Sequence, residues 1–175
     1  MKRDIHIERV YFHPRELVWR GLTDSELVAE WLMKNDFAPV VGHRFTMRTE
    51  PGPGFDGVVH CEVLHIDPPR SMRWAWRGGP IDTEVTFTLT EEVTYGRQST
   101  RLRVDHTGFE GLPAVLVSFI LGAGNRRVYG HNLPAALDRL SGKAPEPPQP
   151  PGDKALWWYL SRLFAPLLKR ARRGE

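Results

Sequence analysis

"GLPAVLVSFILGAGNRRVYGHNLPAALDRLSGK" occupies residues 111–143, and its reading decides the fold. It is a long, mostly apolar stretch, the length of two helices or of one long helix with a weak point. Gly122, Gly124, Gly130 and Pro134 predict a kink or break in it. Ser141-Gly142 predicts its end. A helix this apolar needs another layer to lie against.

That layer is legible just upstream. "SMRWAWR" (71–77) sets Met72, Trp74 and Trp76 on one face against Arg73, Ala75 and Arg77. "DTEVTFTLT" (82–90) sets Val85, Phe87 and Leu89 opposite threonines, and "TRLRVDHTGF" (100–109) sets Leu102, Val104 and His106 opposite Arg101, Arg103 and Asp105. Three such segments joined by short turns predict an antiparallel meander with one buried face. Further upstream, "GHRFTMRTE" (42–50) puts Phe45 and Met47 on one face. "VVHCEVLHI" (58–66) is β-like but apolar on both parities, so its inward face stays open.

The N-terminal part changes period. "DIHIERVYF" (4–12) reads as a first strand with a slip near Glu8-Arg9, since Ile5 and Ile7 give way to Val10 and Phe12. "HPRELVWRGLTDSELVAEWLM" (13–33) then spaces Leu17, Val18 and Leu22, and next Leu27, Val28, Trp31 and Leu32, as two short helices. Pro14 suits a first helical turn, and Asp24 or Ser25 a cap for the second.

The resulting order is a strand, two short helices, about five further strands and one long helix. Carried by residues 13–33, 41–48, 62–76 and 100–109, it resembles the START-like helix-grip superfamily, also called SRPBCC. The likeness is greatest to the branch of the C-terminal domain of the activator of the heat-shock-protein-90 ATPase, and it covers roughly residues 4–142. The resemblance implies an α+β fold in which a curved antiparallel sheet of about six strands wraps the long helix. It also implies an apolar cavity between the two and, by family analogy, a chaperone-associated role.

Composition excludes several function classes. Of 175 residues 41% are hydrophobic and 26% charged, as in an ordinary globular domain. The single Cys61 cannot form an internal disulfide. No segment reaches the roughly 20 apolar residues needed to span a bilayer, and the charged N-terminus lacks a signal-peptide core, so a cytoplasmic protein is expected. The net charge of +3 divides unevenly, at −1 over residues 1–152 and +4 over residues 153–175. The main body therefore has no electrostatic footprint for nucleic acid. His60 and His65 flank Cys61 and Glu62 without a recurring ligand pair, so no metal is expected, and "GPGFDG" lacks the Lys-Ser/Thr of a phosphate loop. No cofactor is expected.

The candidate ligand contacts follow from parity: Phe45 and Met47, Trp74 and Trp76, Phe87 and Leu89, Leu102 and Val104, with His106 beside them. Aromatic rings can line a pocket or form a solid core, and alternation alone does not separate the two. His106 reads either as a ligand hydrogen-bonder or acid/base, or as a core histidine tied to the backbone beside a turn at Gly108. On the helix, Asn125, Tyr129 and Asn132 each read singly as solvent-facing, with Tyr129 the candidate contact among them. The expected function is binding of a small hydrophobic or aromatic molecule. The alternatives are a cyclase- or hydrolase-like enzyme using His106, or a chaperone co-regulator.

Domain organisation completes the reading: a helix-grip domain over 1–143, a proline-rich linker over 144–152, and a basic amphipathic helix over 153–175. In that tail Leu156, Trp157, Leu160, Leu163, Phe164, Leu167, Leu168 and Ala171 fall within an arc of roughly 140°, with Lys169 and the arginines outside it. Its apolar face is expected to dock on its own domain or a second copy, on a membrane surface, or on a partner protein.

Overall fold

The computed structural model describes residues 1–142 apart from Pro53. The linker and tail expectations for 144–152 and 153–175 fall outside the described residues. The chain runs β1 (Lys2–Tyr11), α1 (Arg15–Thr23), α2 (Ser25–Trp31), β2 (Lys34–Asn35), β3 (Arg44–Arg48), β4 (Val58–Asp67), β5 (Ser71–Gly78), β6 (Ile81–Thr94) and β7 (Arg97–Glu110). It ends in α3 (Leu112–Arg127), a π-helical turn (Val128–Asn132) and α4 (Leu133–Leu140). This is the helix-grip architecture, with seven strands where about six were expected, the additional β2 being two residues long.

The sheet is antiparallel throughout, in the order β1-β7-β6-β5-β4-β3-β2. After β1 the chain crosses the sheet through α1 and α2, starts again at the far edge, and meanders back until β7 lies beside β1. The following helix is then aimed over the inner face. Asp24 terminates the crossing's first helix and caps its second, its carboxylate accepting from the Glu26 and Leu27 amides at 3.0 and 3.3 Å. The β6–β7 hairpin turns at Tyr95-Gly96, both with positive φ (51° and 71°), the geometry of a two-residue turn whose twist matches its strands.

Two bulges set which side chains face inward. β1 and β7 shift register where Arg3 pairs Phe109 and Ile5 pairs His106, so β7 carries one extra residue opposite Asp4. Gly108 sits in that bulge with φ 98°, a conformation a Cβ would strain, and its amide donates to Asp4 Oδ1 at 3.0 Å. The inward set therefore passes from Leu102, Val104 and His106 to Phe109 without the strand ending. The expected turn at Gly108 is a bulge, and β1 keeps its parity through Glu8-Arg9: Tyr11 is buried, and Phe12 is exposed. A second shift, between Val63 and His65, makes β4 ambiguous in sequence; Val59, Cys61 and Val63 face the core.

The outer face is a lattice of charge. Arg101 bridges Glu8 and Glu92 there, and Arg103 pairs with Asp105. Exposed pairs like these contribute little stability. The inner face carries the burial, with Trp31, Trp74, Phe87 and Phe109 at or below 1% exposure. Each such side chain contributes about 1.5–3 kcal/mol.

The π-turn has a local cause. Pro134 has no amide hydrogen and its ring crowds the carbonyl four residues back, that of Gly130. The Leu133 amide bonds five residues back, to the Val128 carbonyl. The Tyr129 carbonyl thus loses Leu133 as donor, and its next helical partner would be Pro134. The Tyr11 hydroxyl donates to it instead, at 2.7 Å. The predicted break is real and belongs to Gly130 and Pro134; Gly122 and Gly124 lie within continuous α3.

Candidate functional site

α3 packs against β1, β7 and β6, leaving the middle of the inner face uncovered by backbone. Toward the β3–β5 side, Phe37 packs among Phe45 and Trp74, with ring centroids 5.1 Å from each, and Trp74 lies 4.8 Å from Phe87. Between this plug and α3 lies a cavity of about 420 Å³. Its helical wall is Leu116, Val117, Ile120, Leu121, Gly124 and Val128, spaced at three and four residues along one face of the continuous helix. Leu112, 49% exposed, lines it together with the exposed Gly54 and Pro80. The mouth therefore opens between the β3–β4 loop, the β5–β6 turn and the start of α3. Gly78 helps shape it, because a Cβ there would meet the Phe55 ring at 3.3 Å.

Among the described residues no Asp, Glu, Lys or Arg lines the cavity; the polar side chains that do are Thr49, Trp76, His106, Asn125 and Tyr129. His106 lies 5.6 Å from the Trp76 ring and 4.5 Å from Phe109, and its Nε2 is 2.8 Å from Thr83 Oγ1. The buried Thr83 hydroxyl donates in turn to the Trp76 carbonyl at 3.0 Å. Burial pushes the His106 pKa down to about 4, with Asp4 opposing, so the imidazole is neutral at pH 7. Tyr129 is 5% exposed, its ring centroid 5.7 Å from that of Trp31, and burial pushes its phenol well above the ordinary range.

Of the ten residues singled out by sequence, Trp76, Phe87, Val104, His106 and Tyr129 line the cavity. Phe45, Met47, Trp74, Leu89 and Leu102 lie in solid core: the first and third in the aromatic plug, the last two paired across β6 and β7. His106 is tied to a threonine hydroxyl, where a backbone group was the alternative. Tyr129 and Asn125 read as solvent-facing in sequence, yet both line the cavity, because they continue the Val117 and Leu121 row of the helical wall at four-residue spacing. Sequence reasoning passed over Thr83, although its inward parity between Ile81 and Val85 marks a buried hydroxyl. It also passed over the helical wall, which the three- and four-residue spacing of Leu116 to Val128 would have revealed.

Cys61 is buried and its thiol is pushed up to about 12, chiefly by burial. Among the described residues no group of three or more His, Cys, Asp or Glu could hold a metal ion, and no helix is long and apolar enough to cross a membrane.

A family profile described as "Activator of Hsp90 ATPase homolog 1-like protein" matches residues 13–138. Among solved structures, the Mesorhizobium loti protein MLL2253 is 37% identical, with a TM-score of 0.65, over 78% of this chain and 98% of that one. DynU16, from the dynemicin biosynthetic locus, is 26% identical, with a TM-score of 0.61, over 80% of this chain and 48% of its own. CalU16 from Micromonospora echinospora shares the fold at 19% identity, with a TM-score of 0.62, over 99% of this chain and 90% of that one. Among curated proteins, none matches significantly.

Proposed function

We propose that this chain, which belongs to the Activator of Hsp90 ATPase homolog 1-like family, is a binding module for a small hydrophobic or aromatic molecule held between the sheet and α3. The observation that carries the reading is the open, uncharged cavity of about 420 Å³. Ligand sites of this size are apolar, with a few placed polar groups that fix orientation, which describes this lining. DynU16, 26% identical over 48% of its own length, belongs to the dynemicin biosynthetic locus, a setting that accords with a small-molecule partner for this chain.

Binding is favoured over acid/base catalysis by the environment of His106. A general base works best with a pKa near the working pH, and burial holds this imidazole well below it. Its Nε2 contacts a hydroxyl and no carboxylate, and the charge of Asp4 offsets only part of the cost of burial.

Native mass spectrometry of the protein purified from its source tests the reading, together with a thermal-shift screen of neutral aromatics containing two or more fused rings. A bound small molecule, or a rise in melting temperature that Val117→Trp abolishes, is expected. Stabilisation that persists in the filled-cavity variant would overturn the reading.

A further inference from the structure

Resting on that reading, we infer that the cavity selects an uncharged ligand that presents a hydroxyl donor, of the phenol type, to Nδ1 of His106. The inference begins with a proton count at Thr83. Its hydroxyl has one hydrogen and two neighbours in bonding range, the Trp76 carbonyl at 3.0 Å and His106 Nε2 at 2.8 Å. A carbonyl oxygen can only accept, so the hydrogen goes to Trp76, and Thr83 accepts from Nε2–H. Nε2 then carries the ring proton of the neutral imidazole, and Nδ1 is left as a lone pair. Nδ1 has no hydrogen-bond partner among the described residues, on a ring that lines the cavity. An acceptor in an apolar site calls for a donor from whatever fills the site.

The rest of the lining narrows the ligand's charge. A carboxylate or phosphate would meet the Nδ1 lone pair with no Lys or Arg among the described lining residues to compensate it. A cationic amine would find no Asp or Glu among the described lining residues. A neutral hydroxyl on an aromatic or alicyclic body satisfies Nδ1 and leaves its apolar remainder to Leu116, Ile120 and Val104. Asn125 and Tyr129 can each donate or accept, so they restrict the far substituents less. Thr83 is accordingly a positioning residue: it sets the tautomer through His106.

The test is a matched set of probes titrated calorimetrically into the full chain: 2-naphthol, its methyl ether 2-methoxynaphthalene, and 2-naphthoate. The naphthol is expected to bind about tenfold tighter than the ether, the size of one net hydrogen bond, with the naphthoate weakest. Thr83→Val should collapse the naphthol-to-ether ratio towards one, and Thr83→Ser, which keeps the hydroxyl, should retain it. Long-range ¹H–¹⁵N spectra of His106 should show the Nε2–H form in the free protein and in Thr83→Ser, with the Nδ1 resonance moving when naphthol is added. Equal binding of naphthol and ether by the unmodified chain would overturn the donor inference while leaving the cavity reading intact. Preference for the naphthoate, or an Nδ1–H tautomer, would also overturn it. Failure of all three probes to bind would overturn both readings.

Discussion

The hydroxyl of Tyr11, at the end of the first strand, donates to the main-chain carbonyl of Tyr129, 2.7 Å away and 118 residues later. That one bond satisfies the carbonyl left open where Pro134 interrupts the long helix, and it ties the end of β1 to the residue whose ring lines the cavity. Both phenols are buried, and burial raises both pKa values, Tyr11 being further raised by the neighbouring Tyr129. Neither ionises in ordinary buffers, so the bond persists across the working pH range.

Tyr11→Phe tests this tie. It leaves the Tyr129 carbonyl buried without a donor, which costs about 1–3 kcal/mol. Urea denaturation should show that loss with an unchanged slope, and aromatic probes should bind more weakly because Tyr129 lines their site. A variant as stable as the parent would show that water or another donor replaces the hydroxyl.

His106 makes the fold acid-sensitive within a defined window. Above about pH 6.5 the imidazole is neutral in both folded and unfolded chains, so it does not affect stability. As pH falls from 6.5 to about 4, the unfolded chain takes up the proton and the folded one resists it. Stability therefore declines with falling pH, by roughly 3 kcal/mol across the window. Asp36, held below the usual carboxylate range mainly by the Thr46 amide, and Asp67, held there by Arg70, lose their contributions only at lower pH. Urea melts of the parent and of His106→Leu at pH 7 and 4.5 should show a steep decline in the first and a shallow one in the second.

Gly122 offers a gain. It lies within α3, and a Cβ built there meets nothing within 4 Å. Gly122→Ala should stabilise the protein by about 0.5–1 kcal/mol through helix propensity, read as a higher urea midpoint. Gly108→Ala should do the reverse, because its φ of 98° belongs to the bulge that turns both His106 and Phe109 inward. The two variants together separate a glycine the fold uses from one it tolerates.

We propose that the domain over 1–143 folds without the basic tail. Every strand and helix from Lys2 to Leu140 pairs or packs within that span, and the 37%-identical relative matches 78% of this chain with 98% of its own. Deleting residues 153–175 should leave a single cooperative unfolding transition and unaltered affinity for aromatic probes. Flotation of both forms with anionic vesicles then reads the tail separately. A broad or multistep transition in the shorter form would show that the tail is part of the core.

The fold was legible where one period held over a whole element. β5, β6 and β7 as far as His106 keep one alternation, so the inward positions of Met72, Val85, Leu102 and their partners follow from sequence alone. β4 stayed ambiguous because its bulge after Val63 switches parity in mid-strand, and nothing in the residue types announces a bulge. The site was harder to read because filled core and cavity wall share one pattern. Trp74 and Trp76 are two residues apart on the same face, yet Phe37, from an irregular stretch that no periodicity reports, fills the space over the first and leaves the second open. Tyr129 points inward as the next four-residue step after Val117, Leu121 and Asn125, a polar end to an apolar row that residue type alone assigns to solvent.

The location of a bound aromatic is the most direct test of the cavity. Methyl-labelled protein saturated with 2-naphthol should show intermolecular nuclear Overhauser effects to Val104, Val117 and Ile120, with the His106 ring perturbed as well. Contacts confined to exposed apolar residues, such as Val40, Val41 and Val93, would place the ligand on the surface and contradict a binding site between sheet and helix.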